Sequence, residues 1–213
     1  MTFDEMILIL KTRKSVDEIN KRREDIAGVI PKVRIMFDYD QKNRYHQYDL
    51  WMHSLHTVVG LPRNLPDDFL YLAALLHDIG KPDSRCDGKK ANDTDMHYYG
   101  HPERSMEIVR DEIIPQLIND GVKLSYEDQR RLIYYVHNHD DRVSLRPKTI
   151  RRHTQIASYD EFKKLMYLEV ADAKAHVQLP IIQERVDTCT RLAGKEGLEI
   201  WESIKNNKTD WAE

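Results

Sequence analysis

The sequence predicts an all-α domain, and three observations carry that expectation. No stretch shows sustained apolar–polar alternation bounded by turns, so strand signals are nearly absent. Apolar residues recur instead at three- and four-residue spacing. Helix-start signatures precede several of these runs: Ser15-Val16-Asp17-Glu18 and Ser158-Tyr159-Asp160-Glu161 both read as capping boxes.

The first box opens a helix toward Val29, stopped by Pro31. Asp49 to Val59 reads helical, with Leu50, Met52 or His53, His56 and Val59 near one face. Pro66-Asp67-Asp68 starts a helix carrying Phe69, Leu70, Leu72, Ala73, Leu75 and Leu76. That apolar set is wide enough for a buried central helix, ended by Gly80 and Pro82. Pro102-Glu103 starts another, with Met106, Ile108, Val109 and Ile113. Ser125 and Asp128 open the next, with Leu132, Ile133 and Val136 inside it. The second box leads into Phe162, Leu165, Met166, Val170 and Ala173. A last long helix covers Ile181 to Leu192, with Leu198 to Ile204 after it.

The chain has 213 residues, 40% of them hydrophobic, which suits one domain with a real core. The first 40 residues read as a helical extension packed on a core domain of residues 41–213. Lys+Arg 33 against Asp+Glu 36 leaves a formal charge of −3 and excludes a generally basic nucleic-acid binder. No apolar run approaches the ~18 residues of a membrane span. The start, MTFDEMILILKTRK, lacks the charge order and cleavage site of a secretory signal. Cys86 and Cys189 are far apart and form no CxxC pair, so disulfide scaffolding is excluded and a cytoplasmic location is expected.

Ten histidines are present, and several fall in dense local groups: His53 with His56, His77-Asp78, His97 with His101, and His137-Asn138-His139-Asp140-Asp141. Asp172 stands alone inside an apolar helix. His77-Asp78 ends the most apolar helix, where a charge is costly to bury unless paired or bound to a metal. Imidazoles together with carboxylates suit divalent manganese, iron, cobalt, nickel or zinc. Each residue also has a plain reading. His53 could be a hydrogen-bonded core residue, Asp172 could pair with an arginine, and His137–Asp141 could be a polar helix end. His56 reads as structural, and His46 and His97 lie in predicted loops where exposure to solvent is expected.

The order His53, His77-Asp78, Asp172 resembles the HD-domain superfamily of metal-dependent phosphohydrolases. Tyr45 to Val58, Leu72 to Pro82, Tyr98-Tyr99-Gly100-His101-Pro102-Glu103 and Tyr134-Tyr135-Val136-His137-Asn138-His139-Asp140 look most like the HD domain of bacterial tRNA nucleotidyltransferases. No nucleotidyltransferase signature precedes these motifs, so chain-adding activity is not expected. The resemblance implies a single HD-type helical bundle. It implies that His53, His77, Asp78 and Asp172 hold a divalent metal, with magnesium joining the five ions above. In two-metal members Asp78 would bridge, and His101 and His139 match the second site, with His137 the alternative to His139. One or two ions are therefore expected.

Lys81 could reach a substrate phosphate or answer the helix dipole. Arg104 and Arg142 could clamp a phosphate or be exposed charges. Asp140 could act as base or orient a ligand histidine. The expected activity is hydrolysis of a phosphomonoester or phosphodiester in a nucleotide or similar small molecule. The alternative is a nucleotide- or RNA-binding module without turnover. Specificity would come from the loops Asp38–Tyr48, Lys81–Gly100 and Asp141–Thr154. The second carries Arg85, Lys89 and Lys90, and the third a basic run of Arg142, Arg146, Lys148, Arg151 and Arg152, which could also meet an RNA backbone.

Overall fold

The computed structural model describes residues 1–88 and 93–206. Lys89 and Lys90 lie outside the described residues. The all-α expectation holds: strand is confined, among these residues, to an antiparallel pair of two-residue strands, β1 (Cys86–Asp87) and β2 (Met96–His97).

Helix α1 (Phe3–Thr12), not predicted from the sequence, begins with a full capping box between Thr2 and Glu5. It buries Met6, Ile7, Ile9 and Leu10. The single helix expected from Ser15 to Val29 is two, α2 (Val16–Asn20) and α3 (Arg23–Val29). The break lets Ile19 and Ile26 both be fully buried, and it leaves Asn20 Oδ1 free to accept from Trp51 Nε1 at 2.8 Å. Only half of the expected box forms. Ser15 accepts from the Glu18 amide, while the Glu18 carboxylate accepts from the Lys14 amide instead. Pro31 ends α3 and opens a 3₁₀ turn, Pro31–Met36.

The core helices follow. α4 (Leu50–Gly60) is capped by Asp49, whose side chain accepts from the Met52 amide. α5 (Asp68–Leu76) is buried from Leu70 to Leu76, as its unbroken apolar run predicts. α6 (His101–Ile108) runs through a π-helical turn, Val109–Ile113, into α7 (Ile114–Asn119). The wide turn precedes Pro115, which has no amide hydrogen for a regular ladder. α8 (Tyr126–Asn138) and α11 (Tyr159–Ala175) both open with complete capping boxes. Between them lie α9 (Pro147–Ile150) and α10 (His153–Ile156), and after them α12 (Pro180–Leu192) and α13 (Lys195–Asn206).

α5 is the hub, packed against α1, α4, α8 and α11. α11 lies along α4 on one side and α12 on the other. Two glycines set close approaches. A Cβ on Gly60 would lie 3.1 Å from Ala171 Cβ, so α4 and α11 touch nearly backbone to backbone. A Cβ on Gly80 would lie 2.4 Å from the Ser105 amide nitrogen, and the Gly80 amide donates to Ser105 Oγ at 2.9 Å. The turn after α5 is thereby pressed onto α6.

Residues of α1 to α3 share one hydrophobic cluster with α4, α5 and α8. Burying four aliphatic side chains of α1 stabilises by on the order of 6–12 kcal/mol at most. Total stability of a domain is about 5–15 kcal/mol. Deleting residues 1–14 is therefore expected to abolish or steeply lower the cooperative thermal transition, followed by circular dichroism at 222 nm. An unchanged midpoint would contradict that packing.

Candidate metal centre

The histidines and carboxylates of the sequence motifs converge from five elements. His53 comes from the middle of α4, His77 and Asp78 from the end of α5, His101 from the first turn of α6. His139 is the C-cap of α8, and Asp172 lies in the last turns of α11. All but His101 are buried.

They form two groups that share one carboxylate. His53, His77, Asp78 and Asp172 each offer an atom within 4.8 Å of the others, and so do Asp78, His101 and His139. Asp78 Oδ2 lies 3.2 Å from His77 Nε2 and 3.4 Å from His53 Nε2, while Oδ1 lies 3.1 Å from His101 Nε2 and 3.4 Å from His139 Nε2. Asp172 Oδ1 completes the first group at 3.0 Å from His53 Nε2 and 3.6 Å from His77 Nε2.

Three of the rings are aimed by the same local device. Nδ1 of His77, His101 and His139 donates to the carbonyl three residues earlier, Ala74, Tyr98 and Val136, at 2.9, 2.8 and 2.7 Å. A carbonyl can only accept, so the proton sits on Nδ1 and a neutral ring turns its Nε2 lone pair inward. His101 Nε2 and His139 Nε2 then stand 3.2 Å apart beside an ionised oxygen, an arrangement that calls for a cation between them.

Electrostatics agree. Burial pushes the Asp78 carboxyl up, but Lys81, His77, His101 and His139 pull it well below the usual range. Burial likewise pushes Asp172 up, and His176, His53, His77 and Arg185 pull it well down. Burial pulls His77 down, yet the two carboxylates outweigh it and hold its pKa at about 10. The cluster thus draws a positive charge to its centre even when only a proton supplies it. Buried His53 Nε2, His77 Nε2, Asp78 Oδ1 and Asp172 Oδ1 have no hydrogen-bond partner. Such unsatisfied atoms are costly unless an ion meets them. The four imidazoles and two carboxylates fit a borderline divalent ion.

The other sequence-predicted residues take varied positions. Lys81 Nζ is buried and donates to Asp78 Oδ2 at 2.7 Å, Gln41 Oε1 at 2.9 Å and His46 Nε2 at 3.3 Å. Those three partners match its three protons, so a phosphate would have to displace one. Arg104 is taken by Asp83 at 2.7 Å and Glu107 at 3.1 Å. Arg142 is exposed. Asp140 faces Arg185 at 3.4 Å, and His137 pairs with Glu103 at 2.7 Å. The motif therefore brings His139, not His137, into the cluster. His56 stacks on Tyr48 at 4.0 Å between ring centres. In the basic run, Arg152 is bound to Asn138 and Asp141, whereas Arg146 and Lys148 are exposed.

Two loop expectations fail. His46 is not solvent-exposed: its ring packs 5.1 Å from His53 and 4.4 Å from His176, because Tyr45 O accepts from the Val177 amide and folds the loop inward. His97 is half-buried in β2, bonded to Asp93 at 2.8 Å and stacked on Tyr99.

His176 was missed, although it lies four residues after Asp172, on the same face of a helix. Its Nδ1 donates to Asp172 O at 2.9 Å, and with His46 and His53 it forms a third group within 4.8 Å. That group suits a cation less well. Lysine can only donate, so His46 accepts at Nε2 and carries its proton on Nδ1, leaving a donor where a ligand is needed. Arg185 was also missed, and no local pattern announces it, because its partners lie 13 to 46 residues away in sequence.

An all-α bundle enclosing a buried histidine–aspartate cluster defines the class. The HD domain family matches residues 50–184, more than half of the chain, and the chain belongs to that family. Membership places it in the superfamily of metal-dependent phosphohydrolases. The multifunctional CCA protein of Thioalkalivibrio sulfidiphilus (strain HL-EbGR7) is 25% identical over 143 residues, 65% of this chain and 32% of that relative. The chain therefore spans about a third of the relative's length.

Asp78 belongs to both groups, so Asp78→Asn is expected to lower divalent-ion content more than His53→Ala or His101→Ala does. Elemental analysis after gel filtration checks this, with circular dichroism verifying that helix content stays. Asp78→Asn protein with wild-type metal content would contradict the shared position.

Proposed function

We propose that the chain is a metal-dependent phosphohydrolase, acting on a phosphomonoester or phosphodiester of a nucleotide or similar phosphorylated small molecule. The observation that carries this reading is the split of Asp78 between two imidazole groups, with one oxygen turned to each. A site that only recognises a nucleotide has no chemical need for a carboxylate placed between two sets of nitrogen ligands.

His53, His77, Asp78 and Asp172 would hold one ion and Asp78, His101 and His139 the other. Divalent ions bound there supply water of lowered pKa and neutralise charge on phosphoryl oxygens. The chain's own residues do the rest. Carbonyl-anchored Nδ1 protons keep three imidazoles aimed, with Nε2 turned to the cluster. Lys81 keeps Asp78 ionised from the far side of Oδ2. Apolar α5 excludes water from beneath the cluster, which strengthens each of these charge interactions. His101, whose side chain is 14% exposed against 3% for Asp78, marks the side from which a phosphate approaches.

Nucleotides, cyclic phosphates and dinucleoside polyphosphates, each assayed for phosphate or nucleotide release with manganese, nickel, cobalt or magnesium, test the reading. Turnover that chelator abolishes and added ion restores is the expected result. Binding of nucleotide or RNA without any release would instead indicate a recognition module. The second ion has its own test. His101→Ala and His139→Ala are each expected to lose one of two equivalents of metal and at least 100-fold in rate. Unchanged metal content in both would reduce the centre to one ion.

A further inference from the structure

Arg185 lies one residue beyond the stretch that matches the HD domain family, on α12, which contributes none of the six clustered residues. Its guanidinium reaches both halves of the cluster. Nη2 donates to the His139 carbonyl at 2.9 Å, and Nη1 stands 3.6 Å from Asp172 Oδ2. Asp172 therefore faces the arginine with one oxygen and the histidines with the other. His139 is the C-cap of α8, where carbonyls have no partner within the helix, so the arginine also completes that helix end. Two further carboxylates hold the guanidinium from behind, Asp140 at 3.4 Å and Glu169 at 3.5 Å. With protein partners on all these sides, Arg185 is not disposed as a free phosphate clamp.

We propose that Arg185 is a positioning residue that sets the spacing between Asp172 in the first ligand group and His139 in the second. The planar guanidinium suits this role because it fixes two partners in one plane, which a lysine ammonium cannot do. Ligand sets tolerate only about 0.5 Å of error before metal affinity suffers.

Charge alone predicts the opposite of this role. A cation beside a ligand carboxylate repels an incoming metal ion, so removing it should tighten binding. The two effects therefore differ in sign. The inference rests on divalent ions occupying the cluster, and the wild-type chain is the control for that premise.

The test titrates metal-free full-length protein with manganese and with cobalt, recording dissociation constants and the rise in melting temperature that metal produces. Arg185→Lys keeps the charge and loses the fork; Arg185→Met loses both. Both variants are expected to bind each ion at least tenfold more weakly. Their metal-induced rise in melting temperature should shrink while the metal-free melting temperature shifts by less. Wild-type affinity in Arg185→Lys, or tighter binding in Arg185→Met, would overturn the positioning role. So would a fall in metal-free stability with the metal-induced rise intact, since that describes a merely structural arginine. If neither variant folds, Asp140→Asn frees one anchor of the guanidinium on its exposed side. Weaker metal binding there supports the role, and unchanged binding overturns it. Wild-type protein that binds no divalent ion would instead sink the metal centre itself.

Discussion

The structure turns on keeping two carboxylates ionised inside an apolar helical bundle. Asp78 and Asp172 are 2% and 4% exposed, and each sits on a helix whose neighbours are mostly Leu, Ala and Val. Isolated carboxylates would take up protons at such positions rather than remain charged. They stay charged because Lys81 from the turn after α5, His77 beside it and Arg185 from α12 bring opposite charge, and the imidazoles of α4, α6 and α8 add hydrogen-bond contacts. Of the helices packed against α5, α4, α8 and α11 each also deliver a residue of the cluster, whereas α1 contributes apolar surface alone. For those three helices packing and chemistry are the same constraint. The close approach of Gly60 to Ala171 illustrates it, since it brings His53 on α4 within 3.0 Å of Asp172 on α11.

Much of this was legible in the sequence where the cause is local. The apolar run of α5 followed by His77-Asp78 states its own problem, a charge at the end of a buried helix. Capping signatures at Ser125 and Ser158 mark the starts of α8 and α11. Resemblance to a family then selected His53, His101, His139 and Asp172 from many polar residues that spacing alone could not rank. Three features escaped. α1 has a complete capping box and four buried side chains, but its charged surroundings drew attention to targeting rather than to folding. The Lys21–Arg22 break has no glycine or proline and goes with a tertiary arrangement, Asn20 bonded to Trp51 of α4 while Ile19 and Ile26 are both fully buried. His46 looked exposed because a loop's burial depends on what lies across from it, here the His176–Val177 segment.

The recurrence of one small device explains how a helical scaffold can aim several imidazoles at one point. His77, His101 and His139 each lie at a helix end or in the turn beside one, where carbonyls or bends leave an acceptor three residues back. The same carbonyls that a helix terminus must satisfy fix the tautomer of the ring. His53, in the middle of α4, has no such acceptor, and both its ring nitrogens lack a hydrogen-bond partner. It is held by packing instead, fully buried between His46, His77 and His176. Orientation by hydrogen bond and orientation by packing are thus alternative solutions within one site.

That difference bears on where the site can yield. Rings tethered to helix ends move with those ends, and α6 and α8 carry the residues of the second group on such termini. The first group draws on the interiors of α4 and α11, which are pressed together at Gly60 and Ala171. The first group thus combines two helix interiors with the end of α5, whereas the second takes its two histidines from the ends of α6 and α8. For α6 the security is the Gly80–Ser105 contact, with no room for a methyl group. For α8 it is the bond from Arg185 to the His139 carbonyl. Arg104–Asp83 at 2.7 Å also ties α6 to the turn after α5, and Arg152 donates to Asn138 Oδ1 at 2.8 Å at the end of α8, so both helix ends that carry His101 and His139 are held by side chains from other elements.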